Sequence, residues 1–333
     1  MRTLVIGAGP IGTYLAAKLA AAGVDVMLHG RGPIFRDIEA HGARLARQSG
    51  TQTQTIALRC SAVPPDARNW EMVVFAVKAQ DLPAAARQFA RHVEDARIVL
   101  PQNGLPWWQF LGTAGHPLRL RSVDPDGDAE RALPLERIVG CTVTKGLSFR
   151  PDATLVEAVV ATDQFAVGDV LEGSLAAERP ADLLAHCGLP VKLAADIRLE
   201  KWRKLLINVA FNPLGAISHL GFGQVLDDEQ GEWLAGQLMG EALQIARACG
   251  LSAAVDVEAA FARARSSRLH KTSMLQDVEA GRPLELDPIL GVLLELAAHH
   301  QLPAPTLRVV YACLRLIGLA LVEGPIQRRP RKA

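Results

Sequence analysis

The first hundred residues alternate short β-rich runs with Ala-rich runs of helical spacing. TLVIG from Thr3 is followed by a helix to about Ala22, then VDVML, MVVFAV, a helix from Leu82 to about Val93, and RIVLP. Alternation of this kind predicts βαβ units and a parallel sheet covered on both faces. From Ala43 to Cys60 the polar alternation in TQTQTIALRC predicts a hairpin. Strand-like runs return from Ile138 to Val170, split by Pro151 and Asp152. After Asp196 the period changes to that of amphipathic and buried helices, with breaks expected at Pro213, Gly250, Pro283, Pro288 and Pro303. The pattern therefore predicts an α/β domain over residues 1–194 and an all-α domain over residues 195–333.

Composition narrows the partners. A chain of 333 residues that is 49% hydrophobic and 21% charged can bury two cores. Thirty-six basic and thirty-five acidic residues leave a formal charge of +1, which gives no broad footprint for nucleic acid or an anionic membrane. A small-molecule partner is expected instead. The five cysteines, at 60, 141, 187, 249 and 313, form no C-x-x-C pair, so neither a disulfide framework nor a metal site is expected, and a cytoplasmic setting fits. The N-terminus carries no signal-peptide pattern. The apolar run from Val309 to Val322 is short for a bilayer and contains Arg315, and its expected place is inside the helical domain or at a homodimer interface. The basic end QRRPRKA reads as a solvated terminus.

Three stretches carry chemistry. In VIGAGPIG, Gly7, Gly9 and Gly12 have the G-x-G-x-x-G spacing between a predicted strand and a predicted helix, with Ala8, Pro10 and Ile11 completing the loop. Gly7 permits the tight turn, Gly9 admits a pyrophosphate to the backbone, and Gly12 lets helix and strand pack closely. A dinucleotide-binding, Rossmann-type doubly wound sheet follows from that context. The second strand ends in VMLHGRG, which offers Arg31 and no acid, so NADP(H) is favoured over NAD(H). Two more strands end at Lys78, in FAVKAQD, and at Asn103, in IVLPQNG. Ligands of open α/β sheets bind beyond the carboxyl ends of the strands, which places both residues near the cofactor; a snorkelling lysine and an Asn-Gly turn are the plainer readings.

The third stretch, KLLINVAFNPLG, sets Lys204, Asn208 and Asn212 at four-residue steps. Each step drifts only about 40° around a helix, so the three form one stripe. Two accounts stay open on the residues alone. One is an exposed polar face with a Glu200 to Lys204 pair. The other is a carbonyl-reducing site, in which the lysine supplies a proton and the amides hold substrate polar groups; asparagine is a poor helix former and asks for a reason to be there.

With GAGPIG, Arg31, VKA around Lys78, QNG around Asn103, EKWRKLLINVAFNPLGAI and TSMLQDVEAGRPLELD in hand, the chain resembles the ketopantoate reductase family over nearly its whole length. The resemblance implies NADPH-dependent reduction of a 2-oxo acid, in the family ketopantoate, to a 2-hydroxy acid. It further implies Lys204 as general acid, Asn208, Asn212 and Ser273 on the substrate, Glu285 closing the site, Lys78 and Asn103 reaching cofactor and substrate, and Arg31 on the 2′-phosphate. Without it, Ser273 and Glu285 read as helix-surface residues. Some positions depart from the family pattern: Phe222 stands where relatives can have asparagine, Leu290 precedes Gly291 where asparagine is frequent, and the segment after Asn103 is long. Reduction of a different 2-oxo acid and non-catalytic sensing of NADP(H) are the alternatives those departures leave.

Overall fold

The computed structural model describes residues 1–50, 52–112, 118–158, 163–251 and 256–323, so the basic end QRRPRKA lies outside the described residues. Two compact units are present, Met1–Lys201 and Trp202–Ala333.

In the N-terminal unit the strands are β1 (Thr3–Ile6), β2 (Val26–His29), β3 (Ala43–Arg47), β4 (Thr53–Ile56), β5 (Arg59–Ser61), β6 (Met72–Phe75), β7 (Arg97–Leu100), β8 (Ile138–Thr144), β9 (Gly146–Phe149), β10 (Leu155–Ala158), β11 (Gln164–Asp169) and β12 (Val191–Leu193). Helices α1 (Pro10–Ala21), α2 (Pro33–His41), α3 (Leu82–Phe89), α4 (Asp128–Ala132) and α5 (Glu178–His186) connect them. Eight strands form one sheet in the order β12-β11-β8-β7-β6-β1-β2-β5, parallel except where β11 runs against β8. A second sheet, β4-β3-β10-β9, stands beside it. The parallel strands are apolar throughout: every residue of β1 and of β6 is buried, as a sheet with two covered faces demands.

The expected hairpin forms between β3 and β4, paired antiparallel from Ala43 with Ile56 to Ala46 with Thr53. Its last residues behave differently from the sequence expectation, because Cys60 lies in β5 and pairs with Leu28 at the edge of the main sheet. A half-buried ion cluster ties the second sheet to α1: Lys145 meets Glu157 at 2.9 Å and also Asp163, and the Tyr14 hydroxyl donates to Glu157 at 3.1 Å. Burial raises the Tyr14 hydroxyl to about 12, so it stays a donor.

The long helix α6 (Ile197–Ser218) contains the division between the units. The C-terminal unit continues with α7 (Phe222–Val225), α8 (Glu229–Ala248), α9 (Val257–Ser266), α10 (Ser273–Glu279), α11 (Val292–His299) and α12 (Pro305–Glu323). Three expected breaks fall where they were read: Gly250, with φ of +78°, follows α8, Pro283 sits in the loop after α10, and Pro303 precedes α12. Two do not. Pro213 lies inside α6, and Pro288 lies inside a π-helical turn, Asp287–Gly291, that runs into α11. Proline deletes one backbone donor, but the second half of α6 is buried nearly all round and its course is fixed by packing: Trp202, Leu205, Leu206, Val209 and Ala210 are fully buried.

The last helix also corrects an expectation. Leu307, Val310 and Leu314 bury one face of α12, while Val309 and Leu316 are 63% and 68% exposed. Its apolar run is therefore not internal to the unit. By length and composition alone this one helix reaches bilayer-crossing size, as core helices of soluble proteins also do.

Candidate active site

In the N-terminal unit three strand ends converge on the glycine loop. The Gly7 N–H donates to His29 O at 2.9 Å, and the Ala76 N–H donates to Ile6 O at 2.7 Å. Gly7 takes φ of +110°, and a Cβ there would stand 2.7 Å from Ala76 O. A Cβ on Gly12 would lie 1.9 Å from Gly7 O, so helix α1 packs against the loop through a bare backbone. Gly30 lets the end of β2 close on the loop in the same way, 2.6 Å from Ala8 Cβ.

Gly9 behaves differently. It is the N-cap of α1, with an extended backbone and no side-chain cap, and no protein atom lies within 4 Å of where its Cβ would be. Pro10 occupies the first helical position, and the first turn holds no acid. The N–H groups of Ile11 and Gly12 therefore have no intrahelical acceptor and face outward with the positive end of the helix dipole. An open cradle lined by backbone donors fits a pyrophosphate. Arg31 is exposed in the loop between β2 and α2, one residue after Gly30, with no acid at the strand end.

Lys78 follows β6 and caps the 3-10 turn Ala79–Asp81, while Asn103 follows β7 and precedes Gly104 with its φ of +78°. Both side chains are half-buried. A neighbour joins the two strand ends: Gln102 Nε2 donates to Val77 O at 3.3 Å and, at shorter range, to Phe75 O. The Gln102 carbonyl in turn accepts from Lys201 Nζ at 2.7 Å. Neither Gln102 nor Lys201 was singled out from sequence. Lys201 stands inside the EKWRK run, but a lysine there reads as a surface residue until burial is known.

In the C-terminal unit α6 carries the polar stripe. Asn208 is 9% exposed and Asn212 is 3% exposed. The Nδ2 atoms of both are buried and unpartnered. An unsatisfied buried amide costs about 1–3 kcal/mol, so two of them one turn apart on a core helix need an explanation outside the resting fold. Lys204, one turn earlier, is half-buried. The exposed-polar-face account of the stripe is therefore set aside by burial. Glu200, at the near end of the stripe, meets Lys192 Nζ at 3.1 Å.

The helix that begins at Ser273 packs its N-terminus against α6. A Cβ on Gly215 would sit 3.1 Å from Thr272 Oγ1, so the turn of α6 after Asn212 rests directly on the start of α10. Thr272 is the N-cap of α10, its Oγ1 accepting from the Leu275 N–H at 3.0 Å, and Ser273 is the exposed first residue of the helix. The helix start read from TSMLQDVE is present. Glu285 differs from the surface residue read without the family resemblance: it is only 9% exposed, just before the π-helical turn.

Phe222 forms part of an aromatic wall beside the stripe. Its ring lies 5.2 Å from Phe211 and 5.5 Å from His270, and Phe211 meets Phe261 edge-on at 5.8 Å. Burial lowers the His270 imidazole below its usual range, so it enters this wall as a neutral ring. Leu290 is fully buried, where an asparagine side chain would need partners.

The sequence matches the family model described as ketopantoate reductase PanE/ApbA over residues 3–121, and the one described as ketopantoate reductase PanE/ApbA C terminal over residues 196–318. A 2-dehydropantoate 2-reductase of Mesorhizobium japonicum is 34% identical over 325 residues, covering 96% of this chain and 98% of the relative. Among solved structures, a PanE/ApbA family ketopantoate reductase from Ralstonia eutropha superposes with a TM-score of 0.81 at 25% identity, covering 97% of this chain and 100% of the other. A ternary structure of D-mandelate dehydrogenase with NADH and anilino(oxo)acetate shares the fold, with a TM-score of 0.80 at 18% identity over 96% of this chain and 99% of that one. Both halves of the chain thus match one family, and the chain belongs to the ketopantoate reductase family of NADPH-dependent oxidoreductases.

Proposed function

We propose that this protein reduces 2-dehydropantoate (ketopantoate) to pantoate with NADPH, as a step of pantothenate biosynthesis, and that residues 1–194 hold the cofactor while residues 195–333 supply the catalytic and substrate groups. The observation that carries the reading is the pair of buried, unpartnered amides of Asn208 and Asn212 in line with Lys204. A 2-oxo acid with hydroxyl and carboxylate groups offers such amides their missing acceptors. When bound, NADPH supplies the hydride that adds to the C2 carbonyl carbon. Lys204 Nζ then gives a proton to the carbonyl oxygen as charge develops there, leaving a 2-hydroxy acid. Ser273 and the two asparagines orient the substrate, and Glu285 closes the site. Gly7, Ala8, Gly9, Pro10, Ile11 and Gly12 cradle the pyrophosphate, Arg31 takes the 2′-phosphate, and Lys78 and Asn103 reach the reacting end of the cofactor and the substrate.

One observation favours a second reading of the substrate. Phe222 and the buried Leu290 are apolar at positions where the family resemblance leads one to expect asparagine, which suits a 2-oxo acid with a larger apolar side chain. Measuring kcat/KM for ketopantoate beside a panel of branched and aromatic 2-oxo acids separates the two: ketopantoate leads on the first reading, and a panel member leads on the second. A non-catalytic sensor of NADP(H) would have no use for Lys204 aligned with two substrate amides. The reading includes a cytoplasmic location, in keeping with five free cysteines. It also includes a homodimer, since a solved relative is a dimeric ketopantoate reductase from Staphylococcus aureus and α12 leaves apolar residues exposed.

Two cofactor predictions follow from the cradle. Gly9→Ala places a methyl in open space at an extended backbone, so the melting temperature stays put while NADPH binding weakens by about tenfold through contact with the pyrophosphate. Equal NADPH affinity in this variant, read by fluorescence titration, would move the cofactor away from the loop. Arg31→Ala weakens NADPH binding by about tenfold and leaves NADH binding unchanged, since only the 2′-phosphate is lost to the guanidinium. An unaltered NADPH to NADH ratio would take Arg31 out of the site.

A further inference from the structure

Lys201 is 3% exposed, and its Nζ donates to two main-chain carbonyls, Gln102 O and Cys141 O, each at 2.7 Å. Burying an ammonium is costly, and an apolar side chain of similar length would fill the space without that cost. The location of the acceptors shows what the cation does there. Strands β7 and β8 pair in register up to Leu100 with Gly140. Beyond that rung β7 turns away, and the Lys201 ammonium bridges the two chains where the ladder ends. Gln102 then passes the constraint on, through its own amide, to Phe75 O and Val77 O at the exit of β6. Asn103 is the next residue after Gln102, and Lys78 the next after Val77.

A second cation from the first turn of α6 secures the rest of this segment. The Arg198 guanidinium donates to Trp108 O and Leu111 O at 2.6 Å, to Val170 O at 2.8 Å, and to Gln109 O. It also lies 5.5 Å from the Trp108 ring. The chain from 102 to 111 is thus hung on α6 largely by its backbone, with the Gln109 amide returning a bond to Arg198 O at 3.3 Å.

We propose that Lys201 is a positioning residue: by holding Gln102 O and Cys141 O it sets the course of the chain as it leaves β7, and with it the placement of Asn103 and, through Gln102, of Lys78. The catalytic meaning of this placement rests on the function proposed above. A charge-assisted bond to a carbonyl is directional and stronger than a neutral one, so it suits a peptide that must not drift. Site residues need such support, because displacement by about 1 Å can cost roughly 10²-fold in rate.

The test has two parts. Amide hydrogen exchange of the full chain, read in peptides spanning residues 98–112, is compared between wild type and Lys201→Met. Exchange there accelerates by at least about tenfold in the variant while peptides of β1 and β2 are unchanged; unchanged exchange at 98–112 overturns the proposal. The second part is a double-mutant cycle of Lys201→Met with Asn103→Ala, read as kcat/KM for the 2-oxo acid. If Lys201 acts through Asn103 and Lys78, the loss caused by Lys201→Met is clearly smaller in the Asn103→Ala background than in wild type, the remainder passing through Lys78, whereas fully additive losses mean a merely structural lysine and overturn the proposal. Should Lys201→Met fail to fold, Lys201→Arg keeps the charge but moves the donors, and the same local acceleration is expected; wild-type exchange in that variant would count against positioning. If the wild-type protein turned over no 2-oxo acid, the functional reading would fall, while the exchange experiment would still decide whether Lys201 holds the β7 exit.

Discussion

Lys204→Ala lowers turnover of the 2-oxo acid by about 10²-fold or more and leaves NADPH affinity within about twofold of wild type. Lys204 stands on α6 in the C-terminal unit, in line with Asn208 and Asn212, whereas the pyrophosphate cradle is built from the ends of β1, β2 and β6 in the other unit. A lysine that only held structure would, when truncated, lower stability and perturb both ligands together. One that gives its proton to the carbonyl oxygen contributes when charge develops there, so its loss appears in kcat. Equal loss of turnover and NADPH binding, with a lower melting temperature, would mark Lys204 as structural.

The second large effect has opposite signs in stability and activity. Asn212 is buried with its Nδ2 unpartnered, and leucine has the same number of side-chain heavy atoms in the same branched arrangement. Asn212→Leu therefore removes an unsatisfied donor from the resting protein, and its stability stays equal or rises by about 1 kcal/mol. On the function proposed above, the same change removes a hydrogen-bond donor from the substrate and leaves the substrate oxygen unmet in a buried site. Sites built to pair such groups discriminate strongly, and kcat/KM falls by about 10²-fold, chiefly through KM. Thermal unfolding and steady-state kinetics on one preparation check both halves. A variant destabilised by more than about 2 kcal/mol would show that the Asn212 amide serves the fold.

The parts legible in the sequence were those where local geometry dictates residue type. The glycine spacing and the alternation of strand and helix name a βαβ start because a tight turn, a bare approach and close packing each exclude a side chain, as the contacts at Gly7 and Gly12 show. The polar stripe on α6 was legible from the helical period alone, but whether it faced water was not, since burial of Asn208 and Asn212 is decided by elements far along the chain. Glu285 illustrates the same gap: an acid in a turn reads as surface until the surrounding helices are placed. Pro213 and Pro288 misled for a related reason, because local propensity for a break was overridden by packing around α6 and by a π-helical turn that absorbs the proline. Cys60 was read with the hairpin, but the edge of β2 offered it a parallel partner. Lys201 and Arg198 carried no signal of their own. Their acceptors are main-chain carbonyls, and no side-chain pattern records a carbonyl.

The central claim is that a hydride passes from NADPH to the C2 carbon of a 2-oxo acid held by the α6 stripe. Its most direct test is to incubate the protein with ketopantoate and NADPH deuterated at C4 of the nicotinamide, on the face that is transferred, and to locate the label in the product. One deuterium is expected on C2 of pantoate for each NADPH oxidised, with about 10²-fold less label formed by Lys204→Ala over the same interval at equal cofactor occupancy. Tight NADPH binding with no label in any 2-hydroxy acid, across ketopantoate and the wider panel, would contradict it and leave a protein that binds the cofactor without using it.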